Sequence, residues 1–370
     1  MTGHKLLFVL FIFVLIIGVL SIICSTEEKN HEPFKFINKE KYILPQIQNK
    51  VEELELKISN FLGYRTYNPS IFIYKNKVYF TVRLSNYTMC TDIPNSGANK
   101  GLVPGWQARA NSFIFIMDEQ GNLIYLDMEE RSPKYCVQGY EDARPFIYQD
   151  QLFIFSNALS RPKDSTSCYN QMWLSKMNID SVIQNIKDKQ KSIRPLNLPL
   201  SIDFDNTINQ KNWMPFISKE KELLCVYSVN PHVILKCNSE TGVCQSIAST
   251  FNTMIGTNIR GGSQVVYYEM PNGNKRYITI THKRESIYTS QIYTFSVDYP
   301  YQVMEYADNF IFGDSSHTPN IQFISGFAIV DGNAIITYGE DDCYSKFSKI
   351  PMLELCSLLK SVANGVVNKM

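Results

Sequence analysis

The stretch EDARPFIYQDQLFIFS, residues 141–156, decides the interpretation of the fold. It begins with polar residues, continues through an apolar run and a polar turn, and ends with a second apolar run. Two short runs rich in aromatic and β-branched residues, separated by a turn, are typical of paired antiparallel strands. The stretch therefore predicts a β-hairpin whose first strand starts with ionisable side chains.

The same phrase occurs four more times, beginning at Asn68, Asn212, Gly261 and Phe323. Spacings of roughly 50 to 75 residues leave room for four strands per unit, the content of one propeller blade. Hairpins recur in every all-β protein, so the prediction of an all-β, five-bladed β-propeller depends on the matching polar strand starts. In a propeller these starts surround one axis. The positions expected at that axial mouth are Asn68, Asp142, Asn212, Gly262 and Ser325.

Residues 6–24, LLFVLFIFVLIIGVLSIIC, contain no charged side chain. A helix needs about 20 apolar residues to cross a bilayer, whereas a cleaved signal peptide has a shorter apolar region that ends in small residues. Bulky Ile22 and Ile23 precede the only candidate cleavage site, which favours an uncleaved transmembrane signal-anchor over a cleaved signal. Lys5 before the run and Glu27 after it favour a cytosolic N-terminus.

This orientation divides the chain into a cytosolic tail over residues 1–5, an anchor over 6–24, a stem over 25–58 and a propeller over 59–370. Residues 46–58 of the stem have a helical pattern. The protein is thus expected to be a type II membrane protein of the endoplasmic reticulum or Golgi lumen, or of the cell surface. Asn86, in the triplet Asn-Tyr-Thr, is a predicted glycosylation site in that compartment.

Eight of the nine cysteines follow the apolar run, in a compartment where disulfides persist. The segment KCNSETGVC reads as two strand ends around a turn and predicts a disulfide between Cys237 and Cys244. Cys343 with Cys356 is a second candidate pair.

Composition argues against several classes of partner. The net charge is +1 and there is no basic block, so nucleic acid is not expected. The cysteines lack C-x-x-C spacing and the five histidines are scattered, so no metal site is predicted. Neither a G-x-G-x-x-G turn nor a P-loop is present, so no cofactor is predicted.

Four motifs in order resemble glycoside hydrolase family 130, the β-mannoside phosphorylases and related β-mannosyltransferases, and more distantly other five-bladed furanosidase-type propellers. They are GYEDARPFIYQDQLFIFSNA from Gly139, QKNWMPF from Gln210, RGGS from Arg260 with His282 on the next strand, and ITYGEDDC from Ile336. The resemblance covers residues 68–343. The chain departs from the family's Glu-Asp-Pro-Arg segment because alanine replaces the proline at position 143.

The resemblance implies a reaction. Asp142 matches the family's proton donor to the glycosidic oxygen, and phosphate or another acceptor attacks the sugar from the opposite face with inversion. Lys211 and His282 match positions that meet phosphate or sugar. The ligands implied are a mannoside-like glycan or an activated sugar, with or without phosphate.

The chemistry of the residues themselves is consistent with this reaction. A glycosidic oxygen leaves poorly unless it is protonated, and Glu141 beside Asp142 is expected to raise the pKa of that acid by like-charge repulsion. Arg144 lies two residues on, so it faces the same side of the strand. It either binds an anionic group or pairs with Asp142 and keeps it ionised. All three residues are alternatively a structural ion-pair network.

Further candidates for ligand binding share polar, cationic or aromatic character at or near the strand starts. Lysines, histidines and acidic turns are also ordinary surface or core residues, and tryptophan is ordinary core. The candidates are Asn68, Arg83, Lys211, Asn212, Trp213, His232, Arg260, His282, and, as a second carboxylate, Asp341 or Asp342.

The sequence thus favours an enzyme that acts on mannoside-like glycans by glycosyl transfer or phosphorolysis rather than hydrolysis. A non-catalytic glycan-binding propeller is the first alternative, since folds keep their shape when catalysis is lost. A propeller that recognises proteins through its rim is the second.

Overall fold

The computed structural model describes residues 35–40, 52–57, 65–85, 111–128, 138–160, 169–202, 210–252, 254–256, 258–270, 272–284, 288–312 and 321–362. Most of these residues lie in β-strands, and helices are confined to α1 (Ile179–Lys187) and α2 (Met352–Ser357). Neither of these helices is long and apolar enough to cross a bilayer. The apolar run 6–24 and Asn86 lie outside the described residues.

The antiparallel pairings define five units, numbered here as blades in chain order. Blade 1 contains β3 (Arg65–Tyr74), β4 (Lys77–Ser85), β5 (Asn111–Asp118) and β6 (Leu123–Leu126). Blade 2 contains β7 (Gln138–Tyr148), β8 (Gln151–Ser160), β9 (Tyr169–Asn178) and β11 (Leu196–Pro199). Blade 3 contains β13 (Met214–Ile217), β14 (Leu223–Val229), β15 (His232–Cys237) and β16 (Val243–Thr250).

In blade 4 two short strands, β17 (Ile259–Gly261) and β18 (Val266–Glu269), share the inner position. They pair with β19 (Lys275–Arg284), which is followed outward by β20 (Tyr288–Ser296) and β21 (Val303–Tyr306). Blade 5 contains β22 (Gln322–Val330), β23 (Asn333–Glu340) and β24 (Tyr344–Pro351). N-terminal strands β2 (Glu52–Lys57) and β1 (Lys35–Glu40) complete its outer edge.

Two-residue turns close the inner hairpins of blades 1 and 2. Lys75 and Asn76 both have positive φ, at 49° and 57°, as do Gln149 and Asp150, at 49° and 56°. Two consecutive left-handed residues match the twist of the strands they join, as in type I′ turns. The repeated strand–turn–strand phrase of the sequence is this hairpin.

Each buried apolar cluster lies between neighbouring blades, and the five clusters close a ring. Ile114 and Ile154 join blades 1 and 2, and Phe155 and Leu235 join blades 2 and 3. Further clusters lie between blades 3 and 4, 4 and 5, and 5 and 1. This cyclic order confirms the predicted five-bladed propeller.

Three short strands reinforce the rim. Residues 192–202 carry β10 (Ser192–Ile193), β11 and β12 (Ser201–Ile202), which pair in turn with β6, β9 and β16. This segment therefore joins the outer edges of blades 1, 2 and 3. On blade 4, β25 (Lys360–Ser361) pairs with β21.

The predicted helical pattern over 46–58 is wrong where the structure describes it, because residues 52–57 form β2. Their sequence EELELK alternates charged and apolar residues with a period of two, which suits a strand. β2 pairs with β24, so this end of the predicted stem belongs to blade 5.

One predicted disulfide is confirmed and the other pairing is wrong. Cys237 and Cys244 face each other across β15 and β16 and are bonded. Cys356 carries a free thiol. Cys343 is disulfide-bonded, with its partner outside the described residues.

His232, a predicted ligand-binding residue, lies in the core instead. Its side chain is 1% exposed and packs against Tyr293 and Phe295 of blade 4, with ring centroids 5.6 and 4.9 Å away. As the first residue of β15 it belongs to the second pair of strands of blade 3, away from the inner strand starts. Burial lowers the pKa of His232 to about 3.

We expect His232 to make the protein acid-sensitive. The unfolded chain takes up a proton on this ring below pH 6.5, whereas the folded protein does so only near pH 3. The free energy of unfolding therefore decreases as the pH is lowered from 6.5 to 3. Each such group contributes a slope of at most about 1.4 kcal/mol per pH unit. Chemical denaturation between pH 8 and 4 is expected to show that His232→Phe loses less unfolding free energy than the wild type as the pH is lowered. The same dependence of unfolding free energy on pH in the variant and the wild type would contradict this prediction.

Candidate active site

The inner strands of blades 1, 2 and 3 start with the same backbone feature. Asn68, Asp142 and Asn212 all have left-handed φ, at 49°, 52° and 64°. Asparagine and aspartate tolerate this conformation better than other residues that carry a Cβ. In β3 and β7 the residue sits in a bulge, which redirects a side chain relative to the strand.

Hydrogen bonds join the strand starts of the first four blades. Asn68 Nδ2 donates to Asp142 Oδ1 over 2.9 Å. Arg144, on the same strand as Asp142, donates to Asn212 Oδ1 over 3.2 Å and to the Gly262 carbonyl over 2.6 Å. Polar groups from blades 1 to 4 are therefore in direct contact.

Blade 5 closes the ring. Ser325 Oγ donates to the Pro69 carbonyl over 2.6 Å. A Cβ added to Gly326 would lie 2.8 Å from Ser70 Cα, so blades 5 and 1 approach too closely for any other residue there. The five positions expected at the axis thus lie together; with Glu141, Arg83 and Arg144 they form what is called the axial cluster.

Arg144 is a structural residue of this cluster rather than a ligand-binding one. Its side chain has no solvent exposure, and it donates to the carbonyls of Gly262 and Asp142 and to Asn212 Oδ1. Its guanidinium also lies over the Phe323 ring, 5.7 Å from the centroid. Burial lowers its pKa to about 10, so it stays protonated at neutral pH.

Arg83 bridges the two acidic residues of β7. Its Nη2 lies 2.6 Å from Glu141 Oε1 and its Nη1 lies 3.1 Å from Asp142 Oδ1. Burial alone would raise the pKa of Asp142, but the charges of Arg83 and Arg144 and the Asn68 hydrogen bond hold it below its usual value. The expected raised pKa of Asp142 is therefore wrong, because Arg83 pairs with both carboxylates.

The two aspartates after β23 have different roles. Asp341 accepts a hydrogen bond from the Ile321 backbone over 2.9 Å and donates its own N–H to the Ile321 carbonyl, so it ties the turn to the start of β22. For Asp342, burial raises the pKa to about 6, Arg83 opposes the rise, and Asp142 and Glu141 add to it. Asp342 is thus a third carboxyl group of the site, after Glu141 and Asp142, with a pKa of about 6.

Among the described residues, two cations are exposed at the mouth. Lys211 and Arg260 are exposed, and their charges act on His282. His282 lies opposite Arg260 in the β17–β19 pair, is buried, and stacks on Tyr288 with centroids 5.3 Å apart. Burial, with the charges of Arg144, Lys211 and Arg260, lowers the pKa of His282 to about 3, so the ring is neutral.

Trp213 does not offer its face at the mouth. It is 1% exposed and packs edge-on against Tyr227, with its Nε1 donating to Gln210 Oε1 over 3.3 Å. It belongs to the apolar cluster between blades 2 and 3.

Sequence reasoning missed the residues that support the acidic pair. Asn157 Nδ2 donates to Glu141 Oε2 over 3.3 Å from the directly opposite position on β8. Ser112 Oγ accepts from Arg83 Nε over 3.1 Å. The SNA end of the motif from Gly139 contains Asn157 and could have indicated it, whereas Ser112 follows no recognisable signal.

Comparison with solved structures finds the same fold in other proteins. The chain is similar to a β-1,2-mannobiose phosphorylase from Listeria innocua at a TM-score of 0.52 and 14% identity, over 88% of this chain and 99% of that one. It is similar to a glycosyl hydrolase from Bacteroides ovatus at a TM-score of 0.51 and 11% identity, over 87% and 92%. No family model and no curated protein sequence matches the chain. The family 130-like fold expected from the motifs is confirmed.

Arg144 is expected to be essential for stability. In Arg144→Met the carbonyls of Asp142 and Gly262 and Oδ1 of Asn212 lose their donor while staying buried, which is expected to cost about 3–5 kcal/mol of unfolding free energy. The control is Arg194→Met, since Arg194 is 72% exposed and pairs with Asp127 at the surface. Its expected cost is about 1 kcal/mol or less. Equal urea midpoints for the two variants would contradict the structural role.

Proposed function

We propose that this protein is a carbohydrate-active enzyme that binds a mannoside-like glycan at the axial mouth and transfers the sugar to phosphate or another acceptor. The observation that carries the proposal is the meeting of all five inner strand starts around Asp142. Asp342 and the exposed Lys211 interact electrostatically with Asp142, and the exposed Arg260 lies opposite His282. The fold shared with a mannobiose phosphorylase supports the substrate class.

Asp142 is the proposed proton donor. In the reaction a bond forms between the acceptor oxygen and the anomeric carbon, the glycosidic bond breaks, and the proton of Asp142 moves to the departing oxygen. The lowered pKa of Asp142 makes it a carboxylate at neutral pH, so it gains a proton before this step. Asp342, whose pKa is about 6, is the nearby acid suited to supply it near neutral pH.

Lys211 and Arg260 are the proposed binding groups for the acceptor phosphate or for the diphosphate of an activated sugar. Both are exposed, whereas Arg83 and Arg144 are buried and already paired. Phosphate oxygens are strong acceptors for such donors.

The second candidate is a non-catalytic glycan-binding propeller. The pairing of Arg83 with Asp142 favours it, because an ionised carboxylate accepts hydrogen bonds from sugar hydroxyls but cannot protonate a leaving group.

The reaction is testable with the full-length protein in detergent, given β-mannosides with and without phosphate, or sugar-nucleotide donors. In Asp142→Asn we expect turnover to fall by about 10² or more with little change in glycan binding, because one proton donor contributes about that much. Asparagine also tolerates the left-handed φ of 52° at this position. Asp331→Asn, in the exposed β22–β23 turn, is the matched control.

Equal turnover in Asp142→Asn and the wild type would reject Asp142 as the donor. Binding without turnover in the wild type would favour the non-catalytic candidate. Absence of both would reject the carbohydrate proposal.

We further propose that residues 6–24 anchor the protein as a type II membrane protein of the secretory pathway, with Asn86 glycosylated. The charge-free apolar run and the sequon support this. In cells, the protein is expected to stay with membranes in alkaline carbonate, and its electrophoretic mobility should increase in Asn86→Gln. Release into the supernatant would argue against the anchor.

A further inference from the structure

The two carboxylate oxygens of Asp142 have different surroundings. Oδ1 accepts from Asn68 Nδ2 over 2.9 Å and from Arg83 Nη1 over 3.1 Å. Oδ2 accepts no hydrogen bond from the described part of the chain, and it is not among the oxygens sealed from solvent there. The residue as a whole is 9% exposed. Oδ2 is therefore the oxygen left for a ligand.

Contacts on the side of Arg83 that faces away from the two carboxylates hold this side chain in place. Its Nε donates to Ser112 Oγ over 3.1 Å, and its guanidinium lies over the Tyr67 ring, 4.7 Å from the centroid. Ser85 Oγ lies 2.8 Å from Ser112 Oγ and accepts from the Tyr67 hydroxyl over 2.9 Å. Tyr67, Ser85 and Ser112, called the supporting network below, are all buried.

Strand register builds this arrangement. Tyr67 lies opposite Arg83 in the β3–β4 pair, and Ser85 lies opposite Ser112 in the β4–β5 pair. The network therefore crosses three adjacent strands of blade 1 and fixes the side chain that reaches across to blade 2.

Gly139 sets the spacing between these two blades. It pairs with Ser112 in a parallel bridge between β5 and β7, just before the acidic residues of β7. It has φ of 82°, and a Cβ there would lie 1.9 Å from the Ser112 carbonyl oxygen. The close approach of Gly139 to Ser112 thus fixes the distance between blades 1 and 2 that Arg83 spans.

We propose that Tyr67, Ser85 and Ser112 are positioning residues that lock Arg83 onto Oδ1 of Asp142, so that Oδ2 alone meets the bound ligand. The identity of that ligand rests on the proposed function, whereas the orientation of Asp142 does not. A network that served stability alone would leave the properties of Asp142 unchanged when one of its hydroxyl groups is removed.

Several charged groups act on Asp142 from the elements packed around it. They are Arg83 on β4, Glu141 and Arg144 on β7, Lys211 before β13 and Asp342 after β23. The titration of Asp142 must therefore be compared between variants that keep all five of these charged groups.

Tyr67→Phe and Ser85→Ala meet this condition, because they remove hydroxyl groups and no charge. The matched control is Tyr338→Phe, which removes a buried hydroxyl 3.2 Å from Ser348 Oγ in blade 5. Titration of ¹³C-labelled aspartate carboxyls in the full-length protein by NMR, with Asp142→Asn to assign the signal, reports the pKa of Asp142. Arg83→Gln serves as the reference for complete loss of the bridge.

We expect the pKa of Asp142 to rise by roughly 0.5 to 1 unit in Tyr67→Phe and Ser85→Ala, because a loosened Arg83 stabilises the carboxylate less. It should rise further in Arg83→Gln and stay unchanged in Tyr338→Phe. An unchanged midpoint in both network variants, with folding intact by circular dichroism, would overturn the proposal, as would an unchanged midpoint in Arg83→Gln.

The titration separates this inference from the proposed function. If the wild type neither binds nor converts any glycan while the expected pKa shifts occur, the orientation of Asp142 stands and the carbohydrate assignment fails. If the enzyme is active, the pH dependence of kcat should move with the titration in Tyr67→Phe.

Discussion

The architecture of the axial mouth depends on one buried cation. Arg144 has no solvent exposure, and a charge in that position is tolerated only where every donor finds an acceptor. Its acceptors come from its own strand, from Asn212 of blade 3 and from Gly262 of blade 4. Satisfying one guanidinium therefore brings three blades to a common centre, and the left-handed strand starts place Asp142 and Asn212 at the required distance.

With Arg144 committed to backbone and amide oxygens, the acidic pair of β7 is balanced by a second arginine, Arg83 from blade 1. This division explains the electrostatics of the site. Asp142 Oδ1 is paired with Arg83, which keeps Asp142 ionised, whereas Asp342 is half-buried near charges of both signs and has a pKa of about 6. Lys211 and Arg260 stay exposed.

The parts of the fold that sequence predicted are those set by local pattern. Period-two apolar runs, two-residue turns and repeated polar starts indicated five blades, and Asn68 and Asp142 were assigned to the mouth because each begins such a strand. Features that depend on which strands pair were missed: Ser112 reaches Arg83 only through the β4–β5 register, and β2 is a strand because β24 offers it an edge. Trp213 and His232 failed as ligand-binding residues because packing between blades, invisible in a single strand, buries them.

The alanine at position 143, where the family has proline, bears on the choice between enzyme and binder. Ala143 is 3% exposed and packs in the apolar cluster between blades 1 and 2, so the change falls on the core side of the strand. Asp142 still adopts the left-handed conformation that points it to the axis, and its contacts with Asn68 and Arg83 do not involve residue 143. The side chain at position 143 therefore takes no part in the hydrogen bonds of the mouth. Asp142 can act as a proton donor only if a ligand at Oδ2 raises its pKa against the effect of Arg83 at Oδ1. Otherwise it stays ionised and can only accept hydrogen bonds from a sugar.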